Sequence, residues 1–128
     1  MSIDNNLYEK SIKILTDLIA FKTISGQDNS NLIDYCEKIL NNNGIDTFKV
    51  YDDEKKRVNL FGTLKAKNQS TKKPIILSGH TDVVPISKGW SSDPFVATIK
   101  NDKLYGRGSC DMKGCLLYTS PSPRDAIP

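Results

Sequence analysis

Residues 74–85 read PIILSGHTDVVP. The first part, PIILSG, is a short continuous apolar run closed by Gly79, the pattern of a strand buried on both faces. It leads directly into His80. In open α/β sheets ligands gather beyond the carboxyl ends of strands, so a histidine there stands where binding chemistry is done. The stretch predicts a layered α/β protein. The rest of the chain must supply its helices, its further strands and partners for His80.

The helices lie upstream. LYEKSIKILTDLIAF, residues 7–21, brings Leu7, Ile14, Leu18 and Phe21 near one helical face, and Ile12, Leu15 and Ile19 widen that stripe. Residues 23–29 are polar around Gly26 and read as a loop. Asn29 or Ser30 can cap a second helix that turns Leu32, Ile33, Cys36, Ile39 and Leu40 inward. NNNG closes it, with Gly44 suited to the left-handed position after a helix. The period then becomes two. IDTFKVY carries Phe48 and Val50, and RVNLFGTL carries Val58, Leu60 and Leu64, with the charged run DDEKKR as a solvated connection. KNQSTKK is a further polar loop, and residues 84–102 predict a long surface loop with short strands. Helices followed by such strands are the pattern of an α/β layer structure.

A chain of 128 residues is enough for one modest domain. Its net charge of +3 comes from scattered lysines, without the basic and aromatic clustering of a nucleic-acid surface. No apolar run approaches the ~18 residues of a membrane span. The N-terminus MSIDNNLYEK lacks a basic segment followed by an apolar core, which points to the cytoplasm. Cys36, Cys110 and Cys115 form no CxxC pair and are expected as free thiols in a reduced compartment.

His80 is the only histidine. Asp82 falls on the same side of an extended backbone. A carboxylate on one imidazole nitrogen fixes the tautomer and leaves the other nitrogen free for a metal. The spacing also fits a structural histidine beside a turn aspartate. Asp111, in LYGRGSCDMKG (residues 104–114), is a candidate carboxylate ligand able to bridge two cations; Gly and Asp are equally at home in an ordinary turn. Cys110 reads as a small buried thiol. Arg107 and Lys113 are candidates for a substrate carboxylate, with pairing at the surface the plainer expectation. Trp90 and Phe95 are expected to pack the long loop. Ser78 and Ser109 lack a His–Asp relay, and GRG has neither Walker nor dinucleotide spacing.

Taken together, LSGHTDVVP, GWSSDPF and LYGRGSCDMKG resemble, in order and separation, the dimetal amidohydrolase and aminopeptidase superfamily. Its members include acetylornithine deacetylases and succinyl-diaminopimelate desuccinylases. SNLIDYCEKILNNNGIDTFKVYDDEKKRVNLFGTL, residues 30–64, is similar to the acetylornithine deacetylase branch. The resemblance covers residues 7–114. It implies an α/β fold, the N-terminal part of a helix-flanked, mixed-sheet, zinc-exopeptidase-like catalytic domain. It implies that His80 is a ligand to one zinc, that Asp82 is the catalytic-site carboxylate orienting His80, and that Asp111 bridges two zinc ions, with cobalt as a substitute. It also implies a cis peptide at Asp111–Met112. The implied reaction is hydrolysis of a small N-acyl amino acid: N-acetylornithine to ornithine and acetate, or else a succinylated diaminopimelate or a dipeptide. The implied parent is a homodimer with no nucleic-acid or membrane partner. A non-catalytic α/β binding module is the alternative from another class.

The family places a Glu pair, general base and ligand, a few tens of residues after the bridging Asp, and further ligands later; this chain carries none of them. After Gly114 it continues CLLYTSPSPRD, residues 115–125, which matches the forward translation of a common transposase sequencing adapter. Residues 1–114 are therefore expected to be the N-terminal portion of a deacylase catalytic domain, and residues 115–128 a non-native, disordered tail. Such a chain should turn over no substrate alone and bind zinc weakly, because His80 and Asp111 leave each ion short of four ligands.

Overall fold

Both stretches of helical periodicity form helices. The computed structural model describes residues 5–66 and 73–118. Most of the polar loop expected at residues 67–73, and the tail from residue 119, lie outside the described residues. The chain divides into two compact units, Gly26–Ile76 and Met1–Ser25 with Leu77–Pro128.

In the first unit, α2 (Ser30–Asn42) buries Leu32 and Ile33. Its entry differs from the expected cap. Asp28 Oδ1 accepts from the Ser30 N–H at 2.7 Å and the Ser30 hydroxyl at 2.6 Å, which holds its carboxyl below the usual range. Asn29 is thereby released to pair with a strand: its amide donates to Val58 O at 3.0 Å and its Oδ1 accepts from Val58 N–H at 2.8 Å. Gly44, at φ 74°, occupies the left-handed position after the helix as predicted.

Strands β1 (Asp46–Tyr51) and β2 (Val58–Thr63) form an antiparallel hairpin pairing Phe48 with Phe61 and Lys49 with Leu60. The charged connection folds on Asp52, which accepts from Lys56 N–H, Arg57 N–H and Arg57 Nε. The side turned to α2 is the opposite of the one the apolar spacing of β1 suggested. Lys49 Nζ reaches Asp34 and Glu37 of α2, each at 2.6 Å, and those carboxylates hold its ammonium above the ordinary lysine range. Thr47 donates to Asn41 at 2.8 Å. At Gly62 a Cβ would lie 3.1 Å from Ile45 Cγ2 and 3.3 Å from Leu40 Cδ1, so the small residue admits close packing. Once Val58, Leu60 and Gly62 face inward, antiparallel register puts Lys49 there too and sends Phe48, Val50 and Phe61 outward. Phe48 and Phe61 stack at 4.8 Å on the exposed side.

In the second unit, α1 (Asn5–Ala20) buries Leu15, Leu18 and Ile19. No helix among the described residues is long and apolar enough to cross a membrane. Beyond α1 the chain turns and forms one parallel bridge, Ile24 to Val83. Ser25 N–H donates to Val83 O and Val83 N–H to Thr23 O, both at 2.9 Å. The Thr23 hydroxyl donates to Thr81 O at 2.7 Å, and Thr23 and Val83 are buried.

The PIILSG run does not become the doubly buried strand its composition predicts. It has no ladder among the described residues, and Ile75, Ile76 and Leu77 are exposed. A strand of that kind needs neighbours on both edges, and the one bridge formed here falls later, at Val83. The long loop carries a small hairpin, β3 (Thr98–Lys100) and β4 (Lys103–Tyr105), joined through Asn101 and Asp102 at φ 52° and 57°. Positive φ at both positions is the type I′ geometry that matches strand twist. Residues 106–114 then form a turn-rich loop held by Ser109 N–H to Gly106 O and Lys113 N–H to Gly108 O. The disorder expected from Cys115 does not extend over its first turn. Cys115–Tyr118 form α3, because Leu116 and Leu117 donate to Met112 O and Gly114 O.

Candidate metal-binding site

The bridge between residues 23–25 and 81–83 fixes the backbone on which the site is built. His80 and Asp82 leave that backbone on one side, as extended geometry predicts. His80 Nδ1 lies 3.2 Å from Asp82 Oδ1 and 3.2 Å from the Asp82 carbonyl oxygen. The loop 106–114 brings Asp111 to the other face of the ring, with Oδ1 3.0 Å from His80 Nε2. All three residues line an open cleft of about 250 Å³, together with Ser25, Val83, Val84 and residues 106–110. His80 and Asp82 side chains are each half exposed, and Asp111 is largely exposed. The peptide bond Asp111–Met112 is cis.

Both ring nitrogens face acceptors; a proton on Nδ1 serves two of them, the Asp82 carboxylate and carbonyl, and leaves the Nε2 lone pair toward Asp111. Nε2 and Asp111 Oδ1 then either share a further proton or both offer lone pairs to a cation. Two ligands on one tetrahedral zinc, with bonds of ~2.0–2.1 Å, stand ~3.3 Å apart; the observed 3.0 Å is a hydrogen-bond length that a small outward shift of Asp111 would widen to that span. Among the described residues no group of three or more His, Cys, Asp or Glu surrounds one point. The donor set present is one imidazole and one carboxylate, with Asp82 behind the imidazole.

Other sequence candidates fall elsewhere. Lys113 is not a surface cation. Its side chain is wholly buried, and Nζ donates to Leu18 O and Phe21 O, each at 2.8 Å, at the end of α1. Leu18 O lies in the last turn of α1, where acceptors outrun the helical donors, and Phe21 O, just past the helix, also accepts from Thr23 N–H at 2.9 Å. Arg107 lines the cleft, but its guanidinium lies 5.1 Å over the Trp90 ring and donates to Pro85 O at 3.4 Å rather than to a surface carboxylate. Phe95 packs under Lys22 at 5.5 Å. Cys110, expected buried, is exposed because the loop turns outward there. Ser25 was invisible as a site residue in sequence. Its hydroxyl donates to Asp82 Oδ2 at 2.5 Å. The available signal was Thr23-Ile24-Ser25 just past an apolar helix end, which reads as any loop.

Residues 76–119 match the family model described as Peptidase family M20/M25/M40. The matched segment is the one that carries His80, Asp82 and Asp111. Similarity extends well beyond the segment. "Probable carboxypeptidase S-like 1" of Dictyostelium discoideum is 36% identical over 134 residues, covering 94% of this chain and 27% of the relative. Succinyl-diaminopimelate desuccinylase of Orientia tsutsugamushi (strain Boryong) is 37% identical over 108 residues, covering 82% of this chain and 26% of the relative. The chain thus spans about a quarter of the length of these relatives. The crystal structure of human carnosine dipeptidase 1 matches with a TM-score of 0.72 over 88% of this chain and 27% of that chain, at 24% identity. That likeness is one of fold. It bears out the expected α/β architecture.

Proposed function

We propose that the chain is the N-terminal part of a metal-dependent amide hydrolase acting on small N-acyl amino acids. The observation that carries the proposal is the approach of His80 Nε2 to Asp111 Oδ1, with Asp82 behind Nδ1, inside the family-matched segment. In this reading His80 and Asp111 hold divalent cations, zinc first and cobalt as a substitute. The chemistry such a pair supplies is activation of water at neutral pH and polarisation of the scissile carbonyl. Asp82 keeps the ring proton on Nδ1 and so keeps the Nε2 lone pair directed at Asp111. Residues 106–110 wall the cleft beside them.

The relatives favour succinyl-diaminopimelate as the leading substrate, since succinyl-diaminopimelate desuccinylases of several organisms match, among them those of Orientia tsutsugamushi and Afipia carboxidovorans. N-acetylornithine is the second candidate, supported by the likeness of residues 30–64 to the deacetylase branch. We assign residues 1–114 to the catalytic domain and the residues from Cys115 to a translated sequencing adapter. The family match runs to residue 119, past that boundary, so the genomic codons after 114 decide between them.

The test is to express the uninterrupted genomic reading frame from Met1 and assay N-succinyl-diaminopimelate, N-acetylornithine and dipeptides. The expected result is hydrolysis that a chelator abolishes and zinc or cobalt restores, with the 128-residue chain inactive. Hydrolysis indifferent to chelation would remove the metal from the proposal. No hydrolysis of any of them would favour the binding-module alternative.

A further inference from the structure

The segment Thr23–Ser25 after α1 does more than connect. Thr23, Ile24 and Ser25 run parallel to residues 81–83, and the backbone there is pinned by bonds from Ser25 N–H, Val83 N–H and the Thr23 hydroxyl. Asp82 sits within this pinned segment, yet its carboxylate is half exposed and free of any backbone donor the structure records. Its Oδ2 accepts from the Ser25 hydroxyl at 2.5 Å, the length of a charge-assisted O–H···O⁻ bond. The same hydroxyl lies 3.4 Å from Val83 O. The other oxygen, Oδ1, faces His80 Nδ1.

A carboxylate rotates about its last torsion with little resistance. A donor on one oxygen stops that rotation and fixes where the second oxygen points. We propose that Ser25 is a positioning residue for His80, acting through Asp82. The Ser25 hydroxyl holds the Asp82 carboxylate so that Oδ1 stays on Nδ1, the ring proton stays there, and Nε2 keeps its lone pair toward Asp111. The competing influence on the ring is Asp111 itself, whose Oδ1 attracts a proton to Nε2. Ser25 tips that competition toward Asp82. The link from Ser25 through Asp82 to His80 stands on hydrogen-bond geometry; only its consequence for metal affinity rests on the proposed function.

His80 is the only histidine, so its imidazole gives an unobstructed nitrogen spectrum in the full 128-residue chain. The experiment compares wild type with Ser25→Ala, and with the isosteric pair Ser25→Thr and Ser25→Val, by long-range proton–nitrogen correlation at alkaline pH, where the ring is neutral. Losing one hydrogen bond should lower the ratio of Nδ1–H to Nε2–H tautomer about fivefold in Ser25→Ala and Ser25→Val. Ser25→Thr should retain the wild-type ratio. The Val83 amide signal reports the bridge, which is made by backbone groups and should persist in all variants. An unchanged ratio in Ser25→Ala, or equal shifts in the Thr and Val variants, would overturn the proposal. Zinc alone is the second probe: its affinity should fall about tenfold in Ser25→Ala. Were wild type to ignore zinc while the tautomer shifted as stated, the metal reading would fail and the role of Ser25 would stand.

Discussion

Replacing Lys113 by methionine should destabilise the chain by about 3 kcal/mol, read as a lower midpoint in urea unfolding followed by circular dichroism. Lys113 is wholly buried, and its ammonium donates to the carbonyls of Leu18 and Phe21 at 2.8 Å each. Leu18 lies in the last turn of α1 and Phe21 just beyond it, where the helix dipole favours a cation. Methionine nearly matches the volume of the lysine stem, so the cavity contribution is small. What is lost are two charge-assisted bonds, each worth ~1.5–3 kcal/mol. What is gained is relief from burying an ammonium, which offsets part of that sum. The same residue ties α1 to the loop bearing Asp111, so amide exchange protection at Lys113 and Val83 should fall together. A change below about 0.5 kcal/mol would mean that the buried bonds merely balance desolvation.

Gly114→Ala should cost about as much, by a different mechanism. A Cβ at this position would lie 2.1 Å from the Ser109 carbonyl oxygen. The obstacle is backbone, so no side-chain rotation relieves it, and the loop 106–114 has to open. Opening breaks Lys113 N–H to Gly108 O and Ser109 N–H to Gly106 O, and moves Asp111 away from His80. Overpacking of this kind costs ~1–3 kcal/mol or more. Gly44→Ala is the informative control. Gly44 has φ 74° with nothing within 4 Å of its Cβ position, so only the left-handed backbone penalty of about 1 kcal/mol applies there. Urea midpoints that fell equally for the two variants would contradict the close contact at Gly114.

The helices were legible because burial at Leu15, Leu18, Ile19, Leu32 and Ile33 follows the 3.6-residue period of one chain segment. The hairpin positions were legible as well, but not which side faces inward. Phe48 and Val50 are the obvious inward pair by hydrophobicity. Ion pairs from Lys49 to α2 and the small Gly62 decide otherwise, and both depend on a neighbour that spacing within the strand does not reveal. PIILSG shows the same limit: its composition describes what a buried strand would need, not whether partners lie alongside. His80, Asp82 and Asp111 were singled out because two short motifs sit at a characteristic separation, and the fold brings their side chains together. Ser25 and the inward turn of Lys113 were not, because each acts through a long-range bond to a carboxylate or carbonyl that leaves no local pattern.

A zinc titration followed on the imidazole nitrogens of His80, in wild type and in Asp111→Ala, decides whether these residues hold a cation together. The expected result is a saturable, weak response in which the Nε2 signal moves while Nδ1 keeps its proton, lost when Asp111 is removed. An Nε2 signal unmoved at millimolar zinc, or moved equally without Asp111, would contradict the assignment of this site.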